Sequence, residues 1–585
     1  METSLPKLVE KYETYTSKKL QETNVISKIN INSMFSIGVD NIMNFTFNLD
    51  GISNKEIDNI FKSIKEKKKY FKLKDGNILK LDNNKEMDDF ENLVEDLELT
   101  KDDIIDGSVS IPKYRAIYLD SLHNKYDFVK TDNLFDNFIK TFKEYKNTSL
   151  SLTKKEESIL RDYQVTGVKW LYNIHKCDFG GILADEMGLG KSVQIIYFIK
   201  KLLKEDSTSK FLIVVPTSLV YNWENEFKKF APQLNYHIFA KQKQTRHIEL
   251  EEKKTNIYIT SYGLLREDYE DYYSKMSFKV CIIDEAQNIK NPTTAISKTV
   301  KKINANTKIA LTGTPLENSV IELWSIFDFI MPGFLAGLKS FQAKYKVKEF
   351  DDETNNRLTK LNKLISPFIL RRKKSEVVKD LPEKIENNIY IDLSQEQKKL
   401  YAAEVKRVNE EMEMLIATEG FDKARFMILQ LLTKLRQFCI DPNLIYEDYE
   451  GESAKMENLI KVIKESIENN HKMLIFTSFK KALDLVVDNL NKENIQSYAI
   501  DGSVTSKKRM DLVNKFNDEE NVKVFVITLK SGGTGLKLTS ADIVIHLDLW
   551  WNPQVENQAT DRAHRIGQKN IVEVIKLKVQ LKKKY

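Results

Sequence analysis

The sequence predicts an α/β protein with two parallel-sheet lobes, a helical insertion between them and a small α+β region in front. Three observations predict it. At 585 residues the chain is too long for a single core. Two series of short β-branched runs alternate with helical patterns, one after residue 160 and one from residue 472, as parallel strands joined by crossover helices require. Residues 180–203 read as a buried strand, a glycine-bearing loop and an amphipathic helix, the setting of an anion cradle.

Composition narrows the class. The chain is 41% hydrophobic and 30% charged, as soluble globular proteins are, and no apolar run reaches bilayer-spanning length. METSLPKLVEKYETY lacks the continuous apolar stretch of a secretory signal, so cytoplasmic residence is expected. Cys177, Cys281 and Cys439 are scattered, without paired spacing for zinc or a disulfide framework, and read as buried, reduced thiols. A net charge of 91 minus 85, or +6, is mild for this length, so any nucleic-acid surface must come from local patterning. The densest basic block, KEKKKYFKLK at 65–74, reads equally as a solvated helix end or a phosphate patch.

The accessory region is expected over residues 1–150, with an α+β module at about 40–100. NFTFNLDG alternates like a strand, and NKEIDNIFKSIKEKKKYF reads as a helix. FKLKDGNILKLD reads as a hairpin turning on Asp75-Gly76, a dipeptide suited to positive φ. MDDFENLVEDLEL places Phe90, Leu93, Val94 and Leu97 on one helical face. Residues 133–160 look like a helical approach to lobe one, with Leu134, Phe135, Phe138, Ile139 and Phe142 as its apolar stripe.

Lobe one is expected at 151–318, with strands at FLIVVP, NIYITSY, VCIIDEA and KIALTG. A helical insertion and connection follow at 319–455. Lobe two is expected at 456–585, with strands at KMLIFTSF, QSYAID, VKVFVITL and ADIVIHLDL.

In the loop, Gly188 and Gly190 let the backbone approach an anion, and the helix after Lys191 points its free N–H groups at it. Lys191 then reaches the β and γ phosphates, and the Ser192 hydroxyl sits on Mg²⁺. Asp185 stands where the usual phosphate-loop pattern has its first glycine. Ninety-three positions later (284 minus 191), room for about three strand–helix units, VCIIDEAQ ends a strand in adjacent carboxylates. Asp284 is placed to hold Mg²⁺, and Glu285 to orient or deprotonate the attacking water. In lobe two, QATDRAHRIGQ carries Arg562 and Arg565 three apart, on one face if the segment is helical.

These segments occur in a recognisable order: LRDYQ (160–164), DEMGLGKS (185–192), VVPTSLVYNW (214–223), ITSYGLL (259–265), DEAQ (284–287), LTGTPLEN (311–318), then IFTSF, LKSGGTGLKLTSAD and DRAHRIGQ. Over residues 160–570 the chain resembles the SWI/SNF (sucrose-nonfermenting) family of superfamily-two helicase-like ATPases, in its bacterial form. That resemblance implies two RecA-like lobes, ATP and Mg²⁺ as cofactors, and an Asp as normal at position 185. It implies Arg161, Gln164, Asp185, Gly188, Leu189, Gly190, Lys191, Ser192 and Gly535 as nucleotide-binding residues, with Ser192 and Asp284 on the metal. It implies Lys191, Asp284, Glu285, Gln287, Arg562 and Arg565 as catalytic, the two arginines reaching the γ-phosphate across the cleft. Thr312, Gly313, Thr314 and Gln558 are implied to couple hydrolysis to lobe movement.

For DNA the resemblance points to Pro216, Thr217, Ser218, Ser261, Tyr262, Ser478, Phe479, Lys530, Gly532, Gly533 and Thr534. Their small hydroxyls, backbone N–H groups and one lysine suit phosphates rather than base edges. Trp551 of LDLWWNP reads as a strand contact or as core, and Arg371, Arg372, Lys373 and Lys374 as DNA contacts or as packing between lobes.

The implied partners are double-stranded DNA, with RNA possible, and DNA-bound proteins as substrates, for a monomeric, nucleoid-associated motor without zinc. A strand-separating helicase and a nucleotide-gated binder without turnover are the alternatives. Gln287 stands where many relatives carry histidine. After RIGQ the chain runs through IVEVIKLKVQ to LKKKY, without the lobe-bracing helix the family normally adds, so a truncated lobe two is expected.

Overall fold

The structure is a computed structural model that describes residues 24–38, 42–97, 99–148, 150, 153–313, 320–345, 352–378, 380–449, 451–532 and 536–580. The chain forms two compact units, Met1–Ser149 with Val347–Pro367, and Leu150–Lys346 with Phe368–Tyr585.

In the first unit, β1 (Val25–Ile26), β2 (Ile31–Ile37), β3 (Ile42–Leu49), β4 (Tyr70–Lys72), β5 (Ile78–Lys80), β6 (Ser108–Pro112) and β7 (Val129–Thr131) form two sheets. Their orders are β1-β5-β4 and β6-β3-β2-β7. Strict alternation along β3 buries Met43, Phe45, Phe47 and Leu49, as period-two patterning dictates. β4 and β5 form the hairpin expected at Asp75-Gly76, where Gly76 adopts φ 99°. The basic block at 65–74 is split between the end of the helix Asn54–Lys65 and β4, with Lys68 paired to Glu66 at 2.6 Å.

The module is larger than the 40–100 pattern suggested, because β2, β6 and β7 complete its four-stranded sheet from outside that span. The helix Asn133–Lys143 belongs to this core, burying Phe135, Ile139 and Phe142, while Leu134 is 61% exposed. An apolar stripe predicts that a face is buried but not what covers it. The helix Asp352–Ile365, which the sequence placed in the insertion between lobes, also lies in this unit. It buries Leu361 and Ile365 and sets Lys360 Nζ 2.6 Å from Asp96.

The second unit holds the two lobes. Lobe one is built on β8 (Gly181–Leu183), β9 (Phe211–Val215), β10 (Tyr236–Ile238), β11 (Ile257–Ser261), β12 (Phe278–Ile283), β13 (Ala305–Leu311) and β14 (Ile369–Leu370). Its seven strands run in the order β10-β11-β9-β12-β13-β8-β14, all parallel. β9 and β11 are buried at every position, as expected of strands covered on both faces.

Lobe two is built on β15 (Lys384–Ile391), β16 (Met473–Thr477), β17 (Ser497–Ile500), β18 (Val524–Thr528), β19 (Ile543–His546) and β20 (Val572–Val579). Its parallel order is β15-β20-β19-β16-β18-β17. The segment IVEVIKLKV, which lies beyond the last motif, is therefore an interior strand of this sheet. Between β15 and β16, the helices Gln395–Glu419 and Phe421–Ile440 form a hairpin. In both lobes the loops at the carboxyl ends of the strands carry the expected motifs, where ligands of open α/β sheets bind. Among the described residues no helix is long and apolar enough to cross a membrane. Cys177 and Cys281 are buried free thiols, whereas Cys439 is only half-buried, correcting one of the three burial expectations.

Candidate nucleotide site between the lobes

The phosphate loop leaves β8 and turns into the helix Lys191–Glu205. Gly188 and Gly190 take φ 87° and 78°, a left-handed geometry that glycine adopts without steric cost. A β-carbon on Gly188 would come 2.7 Å from Arg565 Cβ, so glycine also allows lobe two this close. Lys191 Nζ donates to the Asp185 carbonyl at 2.8 Å, curling over the loop. Burial lowers the Lys191 ammonium below its usual range despite Glu285, Asp284 and Asp185 nearby.

The Asp185 carboxylate plays a different part from the nucleotide contact expected of it. It is fully buried and receives Arg372 through both Nε, at 2.8 Å, and Nη2, and Gln194 Nε2 at 3.0 Å. Leu189 is likewise turned inward, packed against Tyr163 and Val378, and its carbonyl accepts from Tyr163 Oη at 2.9 Å and Gln164 Nε2 at 3.1 Å. Gln164 also caps its own helix through the Arg161 N–H at 3.0 Å. The Arg161 guanidinium lies on Asp380, at 2.8 and 3.0 Å.

Upstream, Glu156 ties the approach to this loop onto the helix behind the phosphate site, with Lys200 at 2.6 Å and Lys204 at 3.5 Å. Burial raises its carboxyl, but hydrogen bonds from Lys200 and Thr153 outweigh that and hold it down at about 2.

Asp284 and Glu285 follow β12. Asp284 Oδ2 accepts from Trp223 Nε1 at 2.9 Å and Oδ1 from the Glu285 N–H at 2.9 Å. Burial, and then the neighbouring Glu285 carboxylate, push Asp284 above the ordinary carboxylate range. Glu285 adopts φ 51°, a left-handed conformation that is costly outside glycine and concentrates at functional sites. Gln287, standing where many relatives carry histidine, bridges two segments. Its Nε2 donates to Glu285 Oε2 at 2.8 Å, and its Oε1 accepts from Thr312 Oγ1 at 3.3 Å. One side chain thus joins the acidic pair to Thr312.

Arg562 and Arg565 do not share a helix face, because the helix Pro553–Thr560 ends before them and they sit in a turn. They reach the cleft all the same. Lys191, Ser192, Asp284, Glu285, Arg562 and Arg565 line one cavity of about 220 Å³ together with Gln164 and Gly188. Burial lowers the Arg562 guanidinium to about 10, against Glu285, and lowers that of Arg565 against Glu226. Arg565 Nε has no hydrogen-bond partner among the described residues. Buried Arg562 and half-buried Lys191 and Arg565, facing two buried carboxylates, match a polyphosphate held through a divalent metal, so the donor set fits both ATP and Mg²⁺.

The DNA expectations divide. Ser261 and Tyr262 are buried: Ser261 Oγ caps the following helix at 3.4 Å, and Tyr262 Oη donates to the Asp284 carbonyl at 2.7 Å. Ser261 still lines a pocket with Thr217 and with Thr505 and Ser506 of lobe two. Thr217 is exposed, with Pro216 and Ser218 half-buried, and Thr217 accepts from Ser506 of lobe two at 3.2 Å.

Trp551 is 59% exposed, which removes the core reading, whereas Trp550 packs against the lobe-two core. Arg436, which the sequence analysis passed over, gathers this surface. Its guanidinium lies 5.0 to 5.5 Å from the rings of Trp551, Trp550 and Phe479 and bonds Asp548 at 3.0 Å and Ser478 at 3.4 Å. Gly313 follows β13, and Gln558 is half-buried on the helix Pro553–Thr560. Lys530 and Gly532 lie in the short helix Leu529–Gly532. Thr314, Gly533, Thr534, Gly535 and the Lys530 side chain lie outside the described residues.

The basic cluster after β14 divides: Arg371 and Lys373 are exposed, whereas Arg372 and Lys374 are held inside the fold. Arg372 is bound to Asp185, and Lys374 is buried with Nζ 2.5 Å from Asp561. Sequence spacing carried no signal for either pair, since each is separated by 187 residues.

Comparison with known proteins places this geometry in context. Residues 163–444 match the SNF2-related domain, 1–152 the bacterial SNF2 helicase-associated domain, and 454–567 the helicase conserved C-terminal domain. The chain is 43% identical over 478 residues to an uncharacterized ATP-dependent helicase of Mycoplasma pneumoniae, across 81% of this chain and 45% of that protein. It is 39% identical over 433 residues to the putative ATP-dependent helicase/translocase YwqA of Bacillus subtilis, across 72% and 46%. Among solved structures it is similar to the Sulfolobus solfataricus SWI2/SNF2 ATPase core in complex with dsDNA, at 38% identity, 72% and 88% coverage and a TM-score of 0.38. The chain spans a little under half the length of these curated relatives.

Proposed function

The chain belongs to the SNF2-related family of ATP-dependent, helicase-like proteins, and from that premise we propose that it is an ATP-hydrolysing motor that translocates on double-stranded DNA and remodels or displaces protein bound there. The observation that carries this reading is the convergence of Lys191, Asp284 and Glu285 of lobe one with Arg562 and Arg565 of lobe two on one cavity.

Each residue has work suited to its place. Lys191 and the N–H groups opening its helix bind the β and γ phosphates. Ser192 and Asp284 hold Mg²⁺, which when bound neutralises charge on the phosphate oxygens. Glu285, pinned by Gln287, orients the attacking water and takes its proton. Arg562 and Arg565 supply cationic charge to the γ-phosphate as the transition state forms. Both come from lobe two, so hydrolysis requires closed lobes and product release lets them part. Gln287 passes the state of Glu285 to Thr312.

Trp551 with Arg436, and Thr217, Ser478 and Phe479, form the DNA-facing surface in this reading. A named relative supports it: YwqA is described as a putative ATP-dependent helicase/translocase.

The test is steady-state ATP hydrolysis with duplex DNA, single-stranded DNA and RNA, at low and moderate salt, beside a Glu285→Gln control. Duplex stimulation that salt weakens and the control abolishes supports the reading. Turnover at the control's level on every nucleic acid removes the motor and leaves a nucleotide-gated binder.

A further inference from the structure

The chain between the lobes does more than connect them. After β14 joins β8, its pairing continues along the phosphate loop: the Ala184 N–H donates to the Leu370 carbonyl at 2.7 Å and the Glu186 N–H to the Arg372 carbonyl at 3.0 Å. Arg372 locks onto Asp185 and Gln194, at 2.8 Å to each. The Lys374 N–H donates to the Glu186 carboxylate at 2.7 Å.

This linker is thus bonded to lobe one by both backbone and side chains. Two residues past Arg372 it reaches lobe two. Lys374 Nζ donates to the Asp561 carboxylate at 2.5 Å and to the His564 carbonyl at 2.7 Å. His564 Nε2 meets the Pro382 carbonyl at 2.9 Å. Asp561 and His564 each directly precede one of the arginines, Arg562 and Arg565. The Lys374 stem passes beside Gly188, 3.5 Å from where a β-carbon would stand.

We propose that Lys374 is a positioning residue for hydrolysis: it holds the arginine-bearing turn of lobe two at a fixed height above the phosphate loop, so that Arg562 and Arg565 meet the γ-phosphate. The proposal rests on the ATPase reading above. Lys374 is not among the residues lining the cavity and acts through Asp561 and His564. A buried ion pair adds little net stability, because desolvation offsets its attraction, so its effect here is on geometry. Displacing reacting groups by about 1 Å costs on the order of 100-fold in rate.

The experiment uses the full chain and compares wild type, Lys374→Met, Asp561→Asn and the double variant. It measures kcat and KM for ATP with saturating duplex, and ADP affinity by calorimetry. Expected are a kcat at least ~10-fold lower in each single variant, KM and ADP affinity within ~3-fold of wild type, and no further loss in the double variant.

The proposal is overturned if wild type turns over and Lys374→Met stays within ~2-fold in kcat, if KM rises in proportion to the loss, or if the two substitutions multiply. Where Lys374→Met yields no soluble protein, Lys374→Gln is judged by the same criteria. A wild type without turnover removes the ATPase reading itself, and this proposal with it, which is a distinct result from an active wild type with an indifferent variant.

Discussion

Replacing Arg372 with methionine should open the phosphate loop. Among the described residues Arg372 supplies two of the three hydrogen bonds to the Asp185 side chain, Gln194 supplying the other, and Asp185 is completely shielded from water. Its guanidinium also bonds the Tyr163 carbonyl and stacks 5.1 Å from the Tyr163 ring. Methionine fills much of the volume but leaves a buried carboxylate with one amide partner. Removing one member of a buried pair costs roughly 3–5 kcal/mol. The penalty is local, so hydrogen exchange reads it best. At about 1.4 kcal/mol per tenfold, exchange across β8 and the first turns of Lys191–Glu205 should accelerate roughly 100-fold or more. Adding Asp185→Asn removes the stranded charge and should recover more than ~1 kcal/mol of the loss. Acceleration below about fivefold, or strict additivity in the double variant, would refute the view that Asp185 is a structural anchor rather than a nucleotide ligand.

Other outcomes follow from the same geometry. Gln287→Ala removes the bond to Glu285 and the link to Thr312, so duplex-stimulated kcat should fall about tenfold with KM for ATP unchanged; a matching rise in KM would contradict this. Trp551→Ala touches an exposed side chain, so thermal stability should change by no more than ~0.5 kcal/mol while duplex affinity falls about tenfold, as titration would show. The Glu156 carboxyl is held down from an ordinary 4.5 to about 2, so its stabilisation is present above about 4.5 and fades as pH falls through 2. Glu156→Gln should therefore cost at most about 3 kcal/mol at pH 7 and converge with wild type near pH 2 in urea titrations. A pH-independent difference would mean that the ion pairs are not its source.

Much of the lobe architecture was legible because the relevant signals are local. A β-branched run followed by a glycine loop or an acidic pair marks both a strand and the site at its carboxyl end, as at Gly181–Lys191 and Phe278–Glu285. What was not legible depends on long-range packing. A tyrosine after a strand reads alike whether it faces solvent or, like Tyr262, seals the backbone behind Asp284. Arg372 and Lys374 looked like any basic run, since their partners lie far away in sequence. The turn carrying Arg562 and Arg565 read as conditionally helical because the spacing of two arginines cannot report where a helix ends. Glu285 in a left-handed conformation has no sequence signature at all. In the first unit, short segments hid the reach of the four-stranded sheet, and Asp352–Ile365 packs there although the chain places it between strands of lobe one.

In the proposed mechanism ATP turnover drives movement along intact duplex. The test is displacement of a third strand bound to a long duplex, measured beside unwinding of a forked duplex of the same sequence. ATP-dependent third-strand release, absent in Glu285→Gln and unaccompanied by fork unwinding, is the predicted result. Fork unwinding, or no release despite hydrolysis, would contradict it.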